Sequence, residues 1–213
     1  MSIHIQSFTF NPFQENTYLL YDESKQCLII DPGCSNSAER KQLIDFVEEK
    51  SLLPVRLLNT HCHIDHILGN KFVSDTYKLD LEANKNDLRT LEAGRVSAEI
   101  FGIEYEESPL PKVFLEEGDV IQFGESQLEI VFTPGHSAGS ICFYNRQQKF
   151  IIGGDVLFYQ SIGRTDLPGG NHAQLLESIR TKLFTLPDDF TVYPGHGPST
   201  TIGFEKMHNP FLG

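Results

Sequence analysis

The sequence predicts a mixed α/β fold (α+β in how its elements segregate), with two sheets packed together and helices outside. Three observations predict it. Apolar strand-like runs fall into two groups, one before residue 60 and one after residue 112. Helical periodicity interrupts and follows them. Polar, histidine-bearing clusters sit where strand-like runs end. Polar residues at the carboxyl ends of strands commonly build sites in layered α/β proteins.

Taken in order, strands are expected at about 3–10, 16–22 and 26–31, closed by the turn Asp31-Pro32-Gly33. A helix follows from Ser37 to Lys50, whose apolar face is Leu43, Ile44, Phe46 and Val47. A short strand, Val55 to Asn59, runs straight into THCHIDH. The stretch 84–102 reads as one helix, with Leu88, Leu91, Val96 and Ile100 spaced as a buried stripe. A turn with Pro109 and Pro111 leads to strands near 113–123 and 126–132, then 140–145 and 148–153. Asn171 can cap a helix carrying Leu175, Leu176, Ile179 and Leu183. The strand Thr191 to Tyr193 delivers Pro194-Gly195-His196-Gly197, and a last helix follows. With 213 residues and no low-complexity linker, one domain over 1–213 is expected.

Composition excludes several functions. A net charge of −12 argues against a nucleic-acid partner, because phosphate binding needs concentrated Lys and Arg. No apolar run approaches the roughly 18 residues of a membrane span. The start, MSIHIQSFTF, lacks the basic and apolar regions of a signal peptide, so a cytoplasmic location is expected. Four cysteines without a CxxC pair suit a reducing compartment. Cys27 and Cys142 lie in strand-like runs and read as core residues, while alternation turns Cys62 away from its flanking histidines. Residues 80–118 carry ten acidic against four basic residues, which reads as a solvated helical surface before an acidic docking face.

Five of the eight histidines fall in three strand-end clusters. THCHIDH supplies His61, His63, Asp65 and His66; TPGHSAGS supplies His136; GGDVLF supplies Asp155; YPGHGPST supplies His196. Taken singly, His136, His196 or Asp155 would read as turn residues. Two-spaced histidines followed by Asp-His rarely arise as core packing, and the clusters together read as a metal site. Imidazole and carboxylate suit zinc, iron or manganese, whereas calcium wants oxygen ligands only. Seven ligands exceed one tetrahedral ion, and two divalent ions sharing one carboxylate fit the count, with zinc favoured. A closed structural zinc site would favour cysteine. His4, His172 and His208 read as unrelated to this cluster.

On these motifs the sequence resembles the metallo-β-lactamase-fold hydrolases, and within them the glyoxalase II-like group of compact cytoplasmic thioesterases. The resemblance runs from Asp31-Pro32-Gly33 through YPGHGPST to Asn209-Pro210-Phe211. It implies a four-layer αββα sandwich with the metals at one edge between the sheets. It also implies His61, His63 and His136 on one ion, Asp65, His66 and His196 on the other, and Asp155 bridging them. True β-lactamases of this fold commonly have Cys or Ser where Asp155 stands, and diiron flavoprotein relatives have Glu where His63 stands. Nuclease members usually add domains and basic surfaces. The helical domain that holds glutathione in full-length glyoxalase II has no counterpart in the roughly 17 residues after His196, which weakens the case for glutathione.

The activity implied is hydrolysis of a small thioester, such as S-lactoylglutathione, by a metal-bridging hydroxide that Asp65 orients. Arg164 could hold a substrate carboxylate, or pair on the surface with Asp166. The alternatives are a mononuclear-iron persulfide dioxygenase, another hydrolase of the fold (lactonase or phosphodiesterase), and a non-catalytic metal-dependent binding module. Oligomeric state is left open by the sequence.

Overall fold

Pairs of adjacent apolar residues in the central strands set the layering. Side chains alternate across a strand, so a strand buried on both faces reads as a continuous apolar run. In the computed structural model, which describes residues 2–212, Leu19, Ile29 and Leu57 enter one apolar cluster. Their neighbours Leu20, Ile30 and Leu58 enter a second. Ile152 and Phe143 belong to that second cluster, while Ile151 and Cys142 face a third. The second cluster lies between two six-stranded sheets, and the other two lie on their outer faces beneath helices. The expected αββα sandwich is the observed fold.

The first sheet has the order β1 (His4–Phe10), β2 (Glu15–Tyr21), β3 (Gln26–Ile30), β4 (Leu53–Leu58), β5 (Leu81–Ala83) and β6 (Val113–Phe114). Its first three strands are antiparallel and β3 to β6 run parallel. The second sheet contains β7 (Val120–Phe123), β8 (Ser126–Phe132), β9 (Ile141–Asn145) and β10 (Phe150–Gly154) as a meander. Between β10 and the next strand of this sheet lies a separate hairpin, β11 (Leu157–Phe158) and β12 (Ser161–Ile162). β13 (Thr191–Pro194) then pairs parallel with β10, and β14 (Thr200–Thr201) forms the edge.

Helix α1 (Ser37–Glu49) starts where Asn36 accepts hydrogen bonds from the amides of Ala38 and Glu39, a cap worth about 1 kcal/mol. It buries Leu43 and Val47 against the first sheet. Helices α2 (Ile64–Ile67) and α3 (Asn70–Tyr77) follow β4. Asn171 caps α6 (His172–Ser178) as expected, and a π turn extends it through Leu183 over the second sheet. Thr201 caps α7 (Ile202–His208). No helix among the described residues is long and apolar enough to cross a membrane.

Two sequence expectations need correction. The strand expected over 113–123 is two strands in different sheets, because a turn at Gly118, with φ of 88°, carries the chain from one sheet to the other. The helix expected over 84–102 divides into a 3-10 turn (Lys85–Asp87), α4 (Leu88–Glu92) and α5 (Gly94–Phe101). Leu91 is buried, but Val96 and Ile100 are 58% and 75% exposed. Their shared face looks into an open cleft and not into the core. The acidic segment around these helices is partly neutralised by pairs such as Arg40–Glu106, Arg95–Glu107 and Lys85–Glu116.

Candidate metal centre

All seven candidate ligands lie at one edge of the sandwich, in the loops that follow β4, β8, β10 and β13. His61 and His63 lie on extended chain, and their rings meet edge to face with centroids 4.8 Å apart. Cys62 between them turns into the apolar layer outside the first sheet, as alternation requires. The chain then bends into α2, which carries Asp65 and His66. Close approach explains the glycine before His196: a Cβ on Gly195 would stand 2.1 Å from Asp155 Oδ1 and 2.7 Å from His66 Cε1. Gly154 has φ of 49°, and a Cβ there would strike Thr60 Oγ1 at 2.4 Å.

The side chains converge as two groups. In the first, His136 Nε2 is 2.8 Å from His63 Nδ1 and 3.2 Å from His61 Nε2. In the second, Asp65 Oδ2 is 3.0 Å from His196 Nε2 and 3.6 Å from His66 Nε2. Asp155 lies between them, with Oδ2 at 3.5 Å from both His136 Nε2 and His196 Nε2, and Oδ1 at 3.4 Å from His66 Nε2. Such spacings between donor atoms are near those that a shared ion about 2 Å from each would impose. Each group could hold one ion, and a single carboxylate reaches both.

Outer hydrogen bonds decide which ring nitrogen is free. His136 Nδ1 donates to the Arg164 carbonyl at 2.7 Å, and His196 Nδ1 donates to the Phe13 carbonyl at 3.1 Å. His66 Nδ1 donates to Asp31 Oδ2 at 3.1 Å. Thr60 Oγ1 donates to Asp31 Oδ2 at 2.5 Å and therefore accepts from His61 Nδ1 at 3.1 Å. Each of these bonds leaves the Nε2 lone pair aimed at the centre, the arrangement that metal-binding histidines use. His66 Nε2 and Asp155 Oδ1 are buried with no hydrogen-bond partner among the described residues. Buried polar atoms are rarely left so, and a cation would satisfy both. The donor set fits zinc, iron or manganese.

Electrostatics separate the two groups. Burial drives His61 well below its usual pKa, and burial together with His136 takes His63 down to about 3. His61 and His63 are therefore neutral imidazoles. Burial opposes charge on His66 too, but the carboxylates of Asp65 and Asp155 raise its pKa well above the usual value. Burial likewise opposes charge on Asp155, yet His66 and the neighbouring imidazoles hold its carboxyl well below the usual range. A cation entering the second group replaces a proton, so binding there releases one.

Several residues of the centre were not legible in sequence. Asp31, expected only as part of a turn, is buried beneath His66 with φ of 50° and also accepts from the amide of Thr60 at 2.7 Å. Asn11 and Asn59 donate to the carbonyls of Asp65 and His66, fixing α2. Asp87 is buried and accepts from the amides of Cys62 at 2.7 Å and Gly139 at 2.6 Å, and from the Ser137 hydroxyl. It thereby ties together the two segments that carry the first group. The one available signal was a carboxylate ending an apolar run, as in QCLIID. Arg164 lies on the cleft, with its guanidinium making two 2.7 Å bonds to exposed Asp166. His4, His172 and His208 stand outside both candidate groups.

Comparison with known proteins extends this picture. A family model described as the Metallo-beta-lactamase superfamily matches residues 10–196. Hydroxyacylglutathione hydrolase GloC of Haemophilus influenzae is 38% identical over 212 residues, covering 99% of this chain and 98% of its own. Among solved structures, BLEG-1 B3 metallo-beta-lactamase superposes with a TM-score of 0.90 at 36% identity, covering 98% of this chain and 99% of its own. TTHA1623, solved in a di-iron-bound form, gives 0.87 at 35% identity, covering 97% and 100%.

Proposed function

The chain belongs to the metallo-beta-lactamase superfamily, and on that premise we propose that it is a binuclear hydrolase cleaving a small thioester. The observation that carries the two-ion reading is Asp155, whose carboxylate lies within 3.5 Å of histidines from both groups. His61, His63 and His136 would hold one ion, Asp65, His66 and His196 the other, and Asp155 both, with zinc favoured and iron or manganese compatible. The di-iron form of TTHA1623 supports two occupied positions. The likeness to a hydroxyacylglutathione hydrolase supports the thioester class.

Divalent ions supply an acidified water and polarisation of the acyl oxygen. The protein's own part is orientation and proton handling. Asp65 presents Oδ2 to the centre at 3.0 Å from His196 Nε2, where it orients the attacking water and accepts its proton. His61 and His63, neutral imidazoles, would leave the charge of an ion held there uncompensated, which would favour the developing oxyanion. A thiol leaves with a pKa near ~8.5, so little general-acid help is required. Arg164, on the rim of the cleft, could exchange Asp166 for a substrate carboxylate.

The reading takes residues 1–213 as one domain, supported by the apolar cluster that the two sheets share. It takes the enzyme as cytoplasmic, supported by four buried, unpaired cysteines, and as independent of nucleic acid and membrane. A second reading, β-lactam hydrolysis, is favoured by the likeness to BLEG-1. The deciding experiment assays metal-quantified protein on thioesters, lactones, phosphodiesters, β-lactams and glutathione persulfide. The expected result is two metals per chain and oxygen-independent thioester turnover. One iron per chain with oxygen uptake on the persulfide, or a preference for β-lactams, would overturn it.

A further inference from the structure

Helix α5 carries two apolar faces. Ala98 packs inward, while Val96, Ile100 and Phe101 are 58%, 75% and 48% exposed. Val96 and Ile100 stand one turn apart, so they share a face. All three line a cavity of about 1390 Å³ that also receives His63, Asp65, His136, Asp155 and His196. Phe13, from the turn between β1 and β2, packs edge to face on Phe101 at 5.1 Å, so two segments remote in sequence build one apolar wall. Scattered exposed apolar residues need no explanation, but a contiguous apolar wall in a concavity beside converging polar groups marks a ligand site. The cavity exceeds the roughly 300–1,000 Å³ of common small-molecule sites, and an acyl group of two or three carbons would leave the wall uncovered.

Charged side chains also line the cavity. Apart from the candidate ligands, its charged lining is Lys85, Arg89 and Arg164 against Glu92. Lys85 and Arg164 are paired with Glu116 and Asp166, whereas Arg89 has no ion-pair partner among the described residues.

We propose that this cavity selects an amphipathic thioester, with a medium-length apolar acyl chain along the Phe13–Val96–Ile100–Phe101 wall and an anionic carrier thiol at Arg89. The reaction at stake is the thioester hydrolysis proposed above; the binding site stands on the wall and on Arg89. Apolar complementarity selects the acyl chain, and the free guanidinium selects the carrier's charge.

The test is a series of acetyl, butyryl, hexanoyl and octanoyl thioesters of 3-mercaptopropionate, assayed on metal-loaded protein. Full burial of a methylene is worth about fourfold and a one-sided wall about half that on a logarithmic scale. The expected rise in kcat/KM is therefore about twofold per methylene, or more than tenfold from acetyl to hexanoyl. The double variant V96S/I100S is expected to flatten this slope, a ratio taken within one protein and so insensitive to overall loss of activity. Arg89→Gln is expected to raise KM about tenfold for the anionic carrier relative to the neutral carrier N-acetylcysteamine. A flat chain-length profile with thioester turnover intact overturns this inference and leaves the thioesterase reading standing. If no thioester is turned over, calorimetry with acetate, hexanoate and octanoate decides. Affinity rising with chain length and lost in V96S/I100S supports the site. Equal binding across the three, or wild-type self-association abolished by V96S/I100S in sedimentation, overturns it.

Discussion

Asp87 offers the sharpest test of how the centre is held. Its Oδ2 accepts from the Cys62 amide, between His61 and His63, and its Oδ1 accepts from the Gly139 amide and the Ser137 hydroxyl, beside His136. Burial pushes its carboxyl pKa up, and these three donors oppose that shift. In Asp87→Asn the shape is kept, but only one oxygen remains. Whichever way the amide turns, its NH2 faces either the Cys62 or the Gly139 amide, donor against donor. One buried donor left unpaired costs about 1–3 kcal/mol, and the facing donors bring the expected loss to about 2–3 kcal/mol. For a chain of this size that lowers Tm by about 4–12 °C. Removing an outer partner of metal-binding residues weakens affinity about 10–100-fold, and here the loss should fall on the first group alone. Urea unfolding in excess chelator measures the stability term, and stepwise competition with a zinc indicator measures each ion. If Asp87→Asn loses stability yet binds both ions as tightly as wild type, the carboxylate is a core anchor and the positioning argument fails.

Three further outcomes are expected. Asp155→Ala removes the carboxylate shared by both groups, so metal content should fall below two per chain, with kcat/KM down about a hundredfold or more, read by metal analysis beside the thioester assay. Asp31→Asn keeps the volume beneath His66 but loses the carboxylate that accepts from His66 Nδ1, so affinity in the second group should fall about 10–100-fold, with a smaller loss in the first, which Asp31 reaches only through Thr60 and His61. Phe143→Ala opens a cavity between the sheets, where the ring is fully buried, and should cost about 3–5 kcal/mol and about 6–20 °C in Tm without changing the two metal affinities in folded protein.

The candidate metal site was legible because metal chemistry restricts residue type. Few side chains can bind a divalent cation at neutral pH, and a strand end with a turn is where several can meet. His61, His63, Asp65, His66, His136, Asp155 and His196 satisfied both conditions in the linear chain, and the fold brings all seven together. The supporting carboxylates were not legible. Asp31 looked like any residue of a turn, and Asp87 fell within a helical stretch rich in acids. What each does depends on which amides and hydroxyls arrive from residues 25 to 52 positions away.

The layers divide in the same way. Doubled apolar residues such as Leu19-Leu20 and Ile151-Ile152 required strands buried on both faces, and that pattern alone implies sheets with something packed on each side. Local periodicity placed α1 and α6 with their caps. It could not tell that residues 113–123 change sheets, because partner choice is a long-range matter that the strand's own side chains barely record. Nor could it tell that Val96 and Ile100 face a cleft, since an apolar stripe has the same period whether protein or ligand covers it. Residue type and spacing by themselves pointed to two packed sheets with helices outside and to a cluster of candidate metal ligands at strand ends. The tertiary structure decided which carboxylates hold that edge in place and left the apolar wall of α5 open beside it, because both follow from segments that meet only when the chain is folded.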